Sequence, residues 1–198
     1  MGPPRPCRIG RPRSTSAPTS RAAGFTLVEI AVTLCVASVL ALQTVRFSSA
    51  VFTSMKLASG TNSLLAHLVQ ARSEAIKRNG HVALCKSADG THCAPTGGWE
   101  QGWIGFHDVN NNGLHDEGEA LLVQSGPLPA GLRLTGNSTV AQYVSFGASG
   151  GTYTLNGAFQ AGTLTLCRAS PEAAEARQII INAVGRPRVA KVTLPSCE

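Results

Sequence analysis

Two short stretches of this 198-residue chain carry residue types at spacings that could do chemistry. The first, Asp108 to Glu119, reads Asp-Val-Asn-Asn-Asn-Gly-Leu-His-Asp-Glu-Gly-Glu. Asp108, Asn110, Asn112, Asp116 and Glu119 put oxygen ligands where a twelve-residue calcium loop needs them, with Gly113 at the sharp turn. The second is Gly185-Arg186-Pro187-Arg188. Arg186 and Arg188 are two residues apart, so in an extended segment they project from one face, roughly 6.5 to 7 Å apart. Successive phosphates of a nucleic-acid strand have a comparable spacing, and two guanidinium forks could grip neighbouring phosphates. Lys191 adds a further cation, and Lys77 and Arg78 are weaker additions.

Both readings depend on the elements that carry the residues. A helix-loop-helix calcium site needs flanking helices, whereas Trp103 to Phe106 and Ala120 to Val123 read as strands, and His115 occupies a position that is usually apolar. Asn and Gly tolerate positive φ and Asx turns, so the expectation is a hairpin tip holding no metal, with the calcium loop as its alternative. In the arginine stretch, Pro187 removes a ladder donor and restrains φ, which marks an edge or a loop rather than a central strand. The competing explanation is a pair of solvated arginines that discourage edge-to-edge aggregation.

A helical seam leads into this region. Leu57, Leu64, Leu68, Ala71 and Ala75 recur at helical spacing, with Leu65, Val69 and Ile76 widening the stripe, and Asn79-Gly80 supplies the stop. Gly60 lies inside the run as a point of flexibility. Beyond Gly80, runs at 81–87, 103–109, 120–125, 132–135, 143–146, 152–155, 162–168, 178–184 and 188–194 alternate with Gly, Pro and Asn signals. They predict an antiparallel sheet packed against the helix. Trp99 and Trp103, four apart around Gly102, read as core packing, with a base-stacking platform as the alternative.

The N-terminal part sets the class. Phe25 to Val45 is an apolar run whose only charge is Glu29, long enough for a helix to cross the ~30 Å hydrocarbon layer of a bilayer. An acid inside such a segment costs roughly 2.5 to 3.5 kcal/mol near its centre, so it either tolerates an interfacial place or has a partner. Residues 1 to 24 precede it with five arginines and no acid. By the positive-inside rule this leader stays in the cytoplasm and the chain after about Arg46 is exported. The formal net charge of +6 comes from 17 Lys+Arg against 11 Asp+Glu. Taking the leader's 5 from the 17 leaves 12 against 11. An argument for nucleic acid therefore rests on where charge lies, not on its average.

Gly24-Phe25-Thr26-Leu27-Val28-Glu29 resembles the N-terminal motif of type IV prepilins at every position. The resemblance implies cleavage after Gly24 by a membrane prepilin peptidase and methylation of the new N-terminus, Phe25. It also implies a contact between Glu29 and a neighbouring subunit's terminal amine, since a buried charge is tolerable only when paired. Ala71 to Asn79, Leu84-Cys85, Trp99 to Phe106 and Thr165 to Cys167 resemble the FimT/GspH branch of minor pilins. In the FimT-like branch linked to natural transformation, a Gly-Arg-x-Arg motif near the C-terminus is implicated in DNA contact, and Gly185, Arg186, Pro187 and Arg188 match it.

Cysteine usage agrees with export. Cys85, Cys93, Cys167 and Cys197 permit three pairings. The preferred one joins Cys85 to Cys93 across an Asp-Gly turn and Cys167 to Cys197, leaving Cys7 and Cys35 unpaired. No pair has C-x-x-C spacing, which disfavours zinc.

The expected architecture is an α+β, type IV pilin-like fold. It comprises a basic leader over 1–24, a long helix over 25–79 with a transmembrane segment at 25–45, and an exported β-rich domain over 80–198 packed with the helix from about residue 53. No Ser/His/Asp elbow, phosphate loop or paired metal-ligand motif points to catalysis, and no cofactor is implied. The expected function is that of a minor type IV pilin, a single-pass inner-membrane precursor assembled into a pilus with other major and minor pilins. It would bind extracellular double-stranded DNA for uptake through Arg186, Arg188 and Lys191. The alternative is a GspH-like pseudopilin of a type II secretion system, with a structural tip role and no DNA binding.

Overall fold

A computed structural model of the chain describes residues 24–197, and over residues 41–50 the backbone only. The expected leader up to residue 23, with Cys7, lies outside the described residues. Two compact units, 1–45 and 46–198, divide the chain, and α1 (Leu27–Arg78) contributes to both.

In the first unit α1 starts at a capping residue. The Glu29 N–H donates to Thr26 Oγ1 over 3.2 Å, and the Ile30 N–H donates to the Thr26 carbonyl over 3.1 Å. Thr26-Leu27-Val28-Glu29 has the spacing of a capping box, so Glu29 also favours the positive helix end. Thr33 and Ser38 turn their hydroxyls onto the carbonyls of Ile30 and Cys35, which satisfies them within an apolar helix. Every large apolar side chain from Phe25 to Leu40 is at least half exposed, a surface of the kind that membranes or partner chains cover. Among the described residues no helix is long and apolar enough to cross a membrane. The expected span over 25–45 ends in residues whose side chains lie outside that description.

The second unit packs the rest of α1 on two antiparallel sheets of four strands each. One has the order β3-β2-β1-β5, built from β1 (Val82–Lys86), β2 (Trp103–His107), β3 (Leu121–Ser125) and β5 (Tyr143–Phe146). The other has the order β4-β6-β7-β8, built from β4 (Leu132–Gly136), β6 (Gly162–Arg168), β7 (Ala174–Ile181) and β8 (Pro187–Leu194). Leu57, Leu64, Leu68, Ala71 and Ala75 are all buried, and they meet Val82, Leu84, Val144 and Phe146 of one sheet and Leu134, Leu164, Leu166 and Ile179 of the other. One helical face thus serves both sheets, where the sequence predicted one.

The helix stripe is narrower than predicted. Val69 and Ile76 stand one residue on from buried seam positions, about 100° round the helix, and are exposed. Gly60 is buried, and a Cβ there would lie 3.1 Å from Leu166 and 3.3 Å from Leu128. Its role is close approach to the sheet rather than the expected flexibility. Thr61 beside it is buried because its hydroxyl donates to the Leu57 carbonyl over 2.7 Å.

The run predicted at 152–155 makes only isolated bridges, Phe146 to Thr152 and Tyr153 to Phe159. Trp99 and Trp103 are fully buried. Their indole nitrogens donate to the Val140 carbonyl over 3.1 Å and to His67 Nδ1 over 2.9 Å, so both serve the core.

Candidate nucleic-acid interface

The segment that carries the two arginines is shaped by a turn. Gly185 takes φ +71° and donates its N–H to the Asn182 carbonyl over 2.8 Å. The Arg186 N–H then donates to Asn182 Oδ1 over 3.0 Å. Thr152 fixes this turn from below, its hydroxyl donating to the Asn182 carbonyl over 3.0 Å and its N–H to the Ala183 carbonyl over 3.1 Å. The turn rests on a second one, Gly147 to Gly151, in which Gly150 has φ +76°. The carbonyl oxygen of Gly150 lies where a Cβ of Gly185 would be, and it accepts from Arg72 Nε over 2.9 Å. Helix, loop and turn are stapled together at that one oxygen.

Pro187 opens β8, which pairs only with β7 and is therefore an edge strand. An edge needs no donor on its free side, so a proline is tolerated there. Arg186 and Arg188 are both exposed, and neither makes an ion pair among the described residues. Arg186 precedes the strand and helps to wall a groove of about 610 Å³, with Arg72 from α1 and the side chains of Tyr153 and Phe159. Arg188, opposite Ile180 in the ladder, is not part of that groove wall.

Lys191 is exposed but three residues from Arg188, so strand alternation turns it to the other face. It stands directly across from Arg177, whose own neighbour in β6 is the core residue Leu166. Arg177 is mostly buried, with Glu175 3.9 Å away. The helix-end cations Lys77 and Arg78 are bound to Glu74 at 3.4 and 2.7 Å, and the hydrogen bond from Arg78 leads the causes that lower the Glu74 pKa.

The Asp108–Glu119 stretch joins β2 to β3 as a closed loop. Asp108 is buried and accepts from the N–H groups of Asn112 at 3.0 Å and Gly113 at 2.9 Å, and burial pushes its carboxyl up despite these two donors. Asp116 accepts from the side-chain amides of Asn110 and Asn112 at 2.8 and 2.7 Å. Glu119 accepts from the N–H groups of Val109 and Asp116. These hydrogen bonds organise the loop, and among the described residues no cluster of His, Cys, Asp or Glu could hold a metal ion.

Two disulfides brace the unit, Cys85 to Cys93 and Cys167 to Cys197. Cys35 is free and exposed.

Three groups at the groove were not singled out from sequence: Arg72, Tyr153 and Phe159. Arg72 adjoins the seam residue Ala71, where a half-buried cation has no distinctive pattern. The aromatics did have a signal. Tyr153 and Phe159 stand at equal distances from the three-residue loop Leu155-Asn156-Gly157, whose Gly157 has positive φ, and residues so placed in a hairpin become cross-strand neighbours.

Comparisons with known proteins follow this architecture. A family model described as type II transport protein GspH matches residues 60–185, so Arg186 and Arg188 lie just beyond it. A crystal structure of the type IV minor pilin FimU from Pseudomonas aeruginosa strain PAO1 is similar with a TM-score of 0.53 and 22% identity, over 74% of this chain and 99% of that one. A second crystal form of FimU gives 0.51 and 21%, over 72% and 100%. The minor pseudopilin EpsH of the Vibrio cholerae type 2 secretion system gives 0.47 and 14%, over 68% and 96%. At these identities the FimU likeness is one of fold. No curated protein matches the chain.

Proposed function

From the chain's membership of the GspH family, which makes it a structural, non-enzymatic minor pilin or pseudopilin, we propose that it is a pilus subunit binding extracellular double-stranded DNA for uptake. The family implies an inner-membrane precursor that assembles with other pilins. Within the same reading, residues 1–24 are removed after Gly24, Phe25 becomes the terminus, and Glu29 meets a neighbour's amine in the filament.

One observation carries the DNA reading. Arg186 and Arg188 flank Pro187 at the head of an edge strand, exposed and without a carboxylate partner among the described residues. Two such guanidinium groups suit phosphate oxygens, which carry no sequence information, so binding is sequence-tolerant. Two phosphate contacts give a log–log salt slope of only about −2, weak for one subunit. Several copies in a filament gain by avidity.

Fluorescence anisotropy of labelled duplex DNA tests this, with the chain from Phe25 onward in detergent micelles so that the leader's arginines do not compete. Salt-sensitive binding that disappears in Arg186→Ala/Arg188→Ala is the expected result. Absence of binding by the folded chain at low salt moves the assignment to a pseudopilin of a type II secretion system.

A further inference from the structure

The groove beside Arg186 has a composition that duplex DNA does not use. Tyr153 and Phe159 stack with ring centroids 5.6 Å apart and an interplanar angle of 29°. Tyr153 is backed by the glycine loop, where a Cβ on Gly147 would lie 3.0 Å from its ring, and its hydroxyl is 3.0 Å from Ser149 Oγ. Phe159 lies on the open side of the pair and is 69% exposed. On the remaining walls stand Arg72 and Arg186, and among the described residues no acidic one lines the groove. The hydrogen bond to Gly150 uses Arg72 Nε, which leaves the terminal nitrogens of its guanidinium for other acceptors.

An aromatic face between two cations is the arrangement that holds single-stranded nucleic acid, with bases on the ring and phosphates on the arginines. In a duplex the base faces are stacked inside and cannot reach Phe159, whereas an overhang or a frayed end exposes them. We propose that this groove takes an unpaired nucleotide, its base against Phe159 and its phosphate between Arg186 and Arg72. This rests on the proposed DNA binding and narrows its substrate to strands with unpaired ends. Double-stranded DNA would be held along its backbone by Arg186 and Arg188 and gripped more tightly where it ends in a single strand.

The test compares three labelled DNAs with the same number of phosphates: a blunt duplex, a duplex with a short 3′ overhang, and a single strand. Each is titrated with the chain from Phe25 onward in micelles, and with Phe159→Ala and Phe159→Trp. The expected result is at least about fivefold tighter binding of the overhang and the single strand than of the blunt duplex. Phe159→Ala abolishes that preference while leaving blunt-duplex affinity unchanged, and Phe159→Trp retains it. Equal affinities for all three DNAs in the unaltered chain, or a preference that survives Phe159→Ala, overturn this inference and leave the phosphate contacts standing. No binding of any DNA overturns the function on which it rests. Phe159 is exposed, so its replacement does not unfold the protein, and unchanged duplex binding verifies this within the same titration.

Discussion

The Cα of Gly185 packs against the carbonyl oxygen of Gly150 so closely that no side chain fits between them. Gly150 is held in turn by Arg72, and Gly185 positions the N–H of Arg186 on Asn182. The glycine that precedes the arginines is therefore an architectural requirement, because it lets a turn at the end of β7 rest on the loop after β5.

Gly185→Ala is expected to destabilise the protein through two causes, a positive φ and a clash with backbone. The conformation alone costs about 1 to 3 kcal/mol. Gly118→Ala is the control, since Gly118 also has positive φ, at +92°, but nothing lies within 4 Å of its added methyl. Urea midpoints should fall further for Gly185→Ala than for Gly118→Ala. Equal falls would mean that the Gly150 contact relaxes without cost.

Lys191 and the two arginines should behave differently in DNA titrations. Replacing Arg186 or Arg188 singly by alanine removes one phosphate contact and lowers the magnitude of the salt slope by about 0.9. Lys191→Ala is expected to leave the slope unchanged, since it faces Arg177 on the other side of the sheet from Arg188. Its loss also relieves a like-charge cross-strand pair, so stability should not fall. A slope reduced equally by Lys191→Ala would show DNA wrapping around the strand edge.

The reach of the sequence is clear from these residues. The helical seam through Leu57, Leu64, Leu68, Ala71 and Ala75 was readable because a 3.6-residue period states which side is buried. Strand order was not readable, because pairing β4 with β6 rather than β5 is decided by contacts distant in sequence. β7 starts at Ala174, before the predicted Gln178, because Ala-Glu-Ala-Arg lacks β-branched residues and takes its strand geometry from β6 and β8. Lys191 was named as a further cation near Arg188, but a separation of three on a strand turns it to the other face. The groove was hidden for a different reason: Arg72, Tyr153 and Arg186 come from three segments that only the folded chain brings together.

His67 gives the core a pH dependence of definite sign. Its Nδ1 accepts the Trp103 indole N–H over 2.9 Å, a bond that needs that nitrogen unprotonated, and burial lowers its pKa from the ordinary value of 6.5. Below about pH 6.5 the unfolded chain binds a proton that the folded chain resists, so stability present above that value is lost as pH falls. Urea midpoints measured from pH 7.5 down to pH 5 should decline, and His67→Gln should flatten the part of the decline that starts near 6.5. An unchanged profile in that variant would assign the decline to carboxylates instead.

The two disulfides should differ in value by an amount their loops set. Cys167 to Cys197 closes 30 residues and Cys85 to Cys93 closes 8. By chain entropy the longer closure contributes about 3 to 4 kcal/mol, roughly 1 kcal/mol more than the shorter. Cys167→Ser/Cys197→Ser is therefore expected to lower the urea midpoint further than Cys85→Ser/Cys93→Ser. The competing consideration is packing. Cys85 lies in the cluster with Ala83, Ile104 and Phe106 on the face of the first sheet away from α1, and Cys93 packs against it. Cys167 and Cys197 share a smaller cluster with Ala176. A larger loss from the Cys85 and Cys93 pair would show that this bond acts by holding the 88–94 loop over the sheet face, so that packing outweighs loop length.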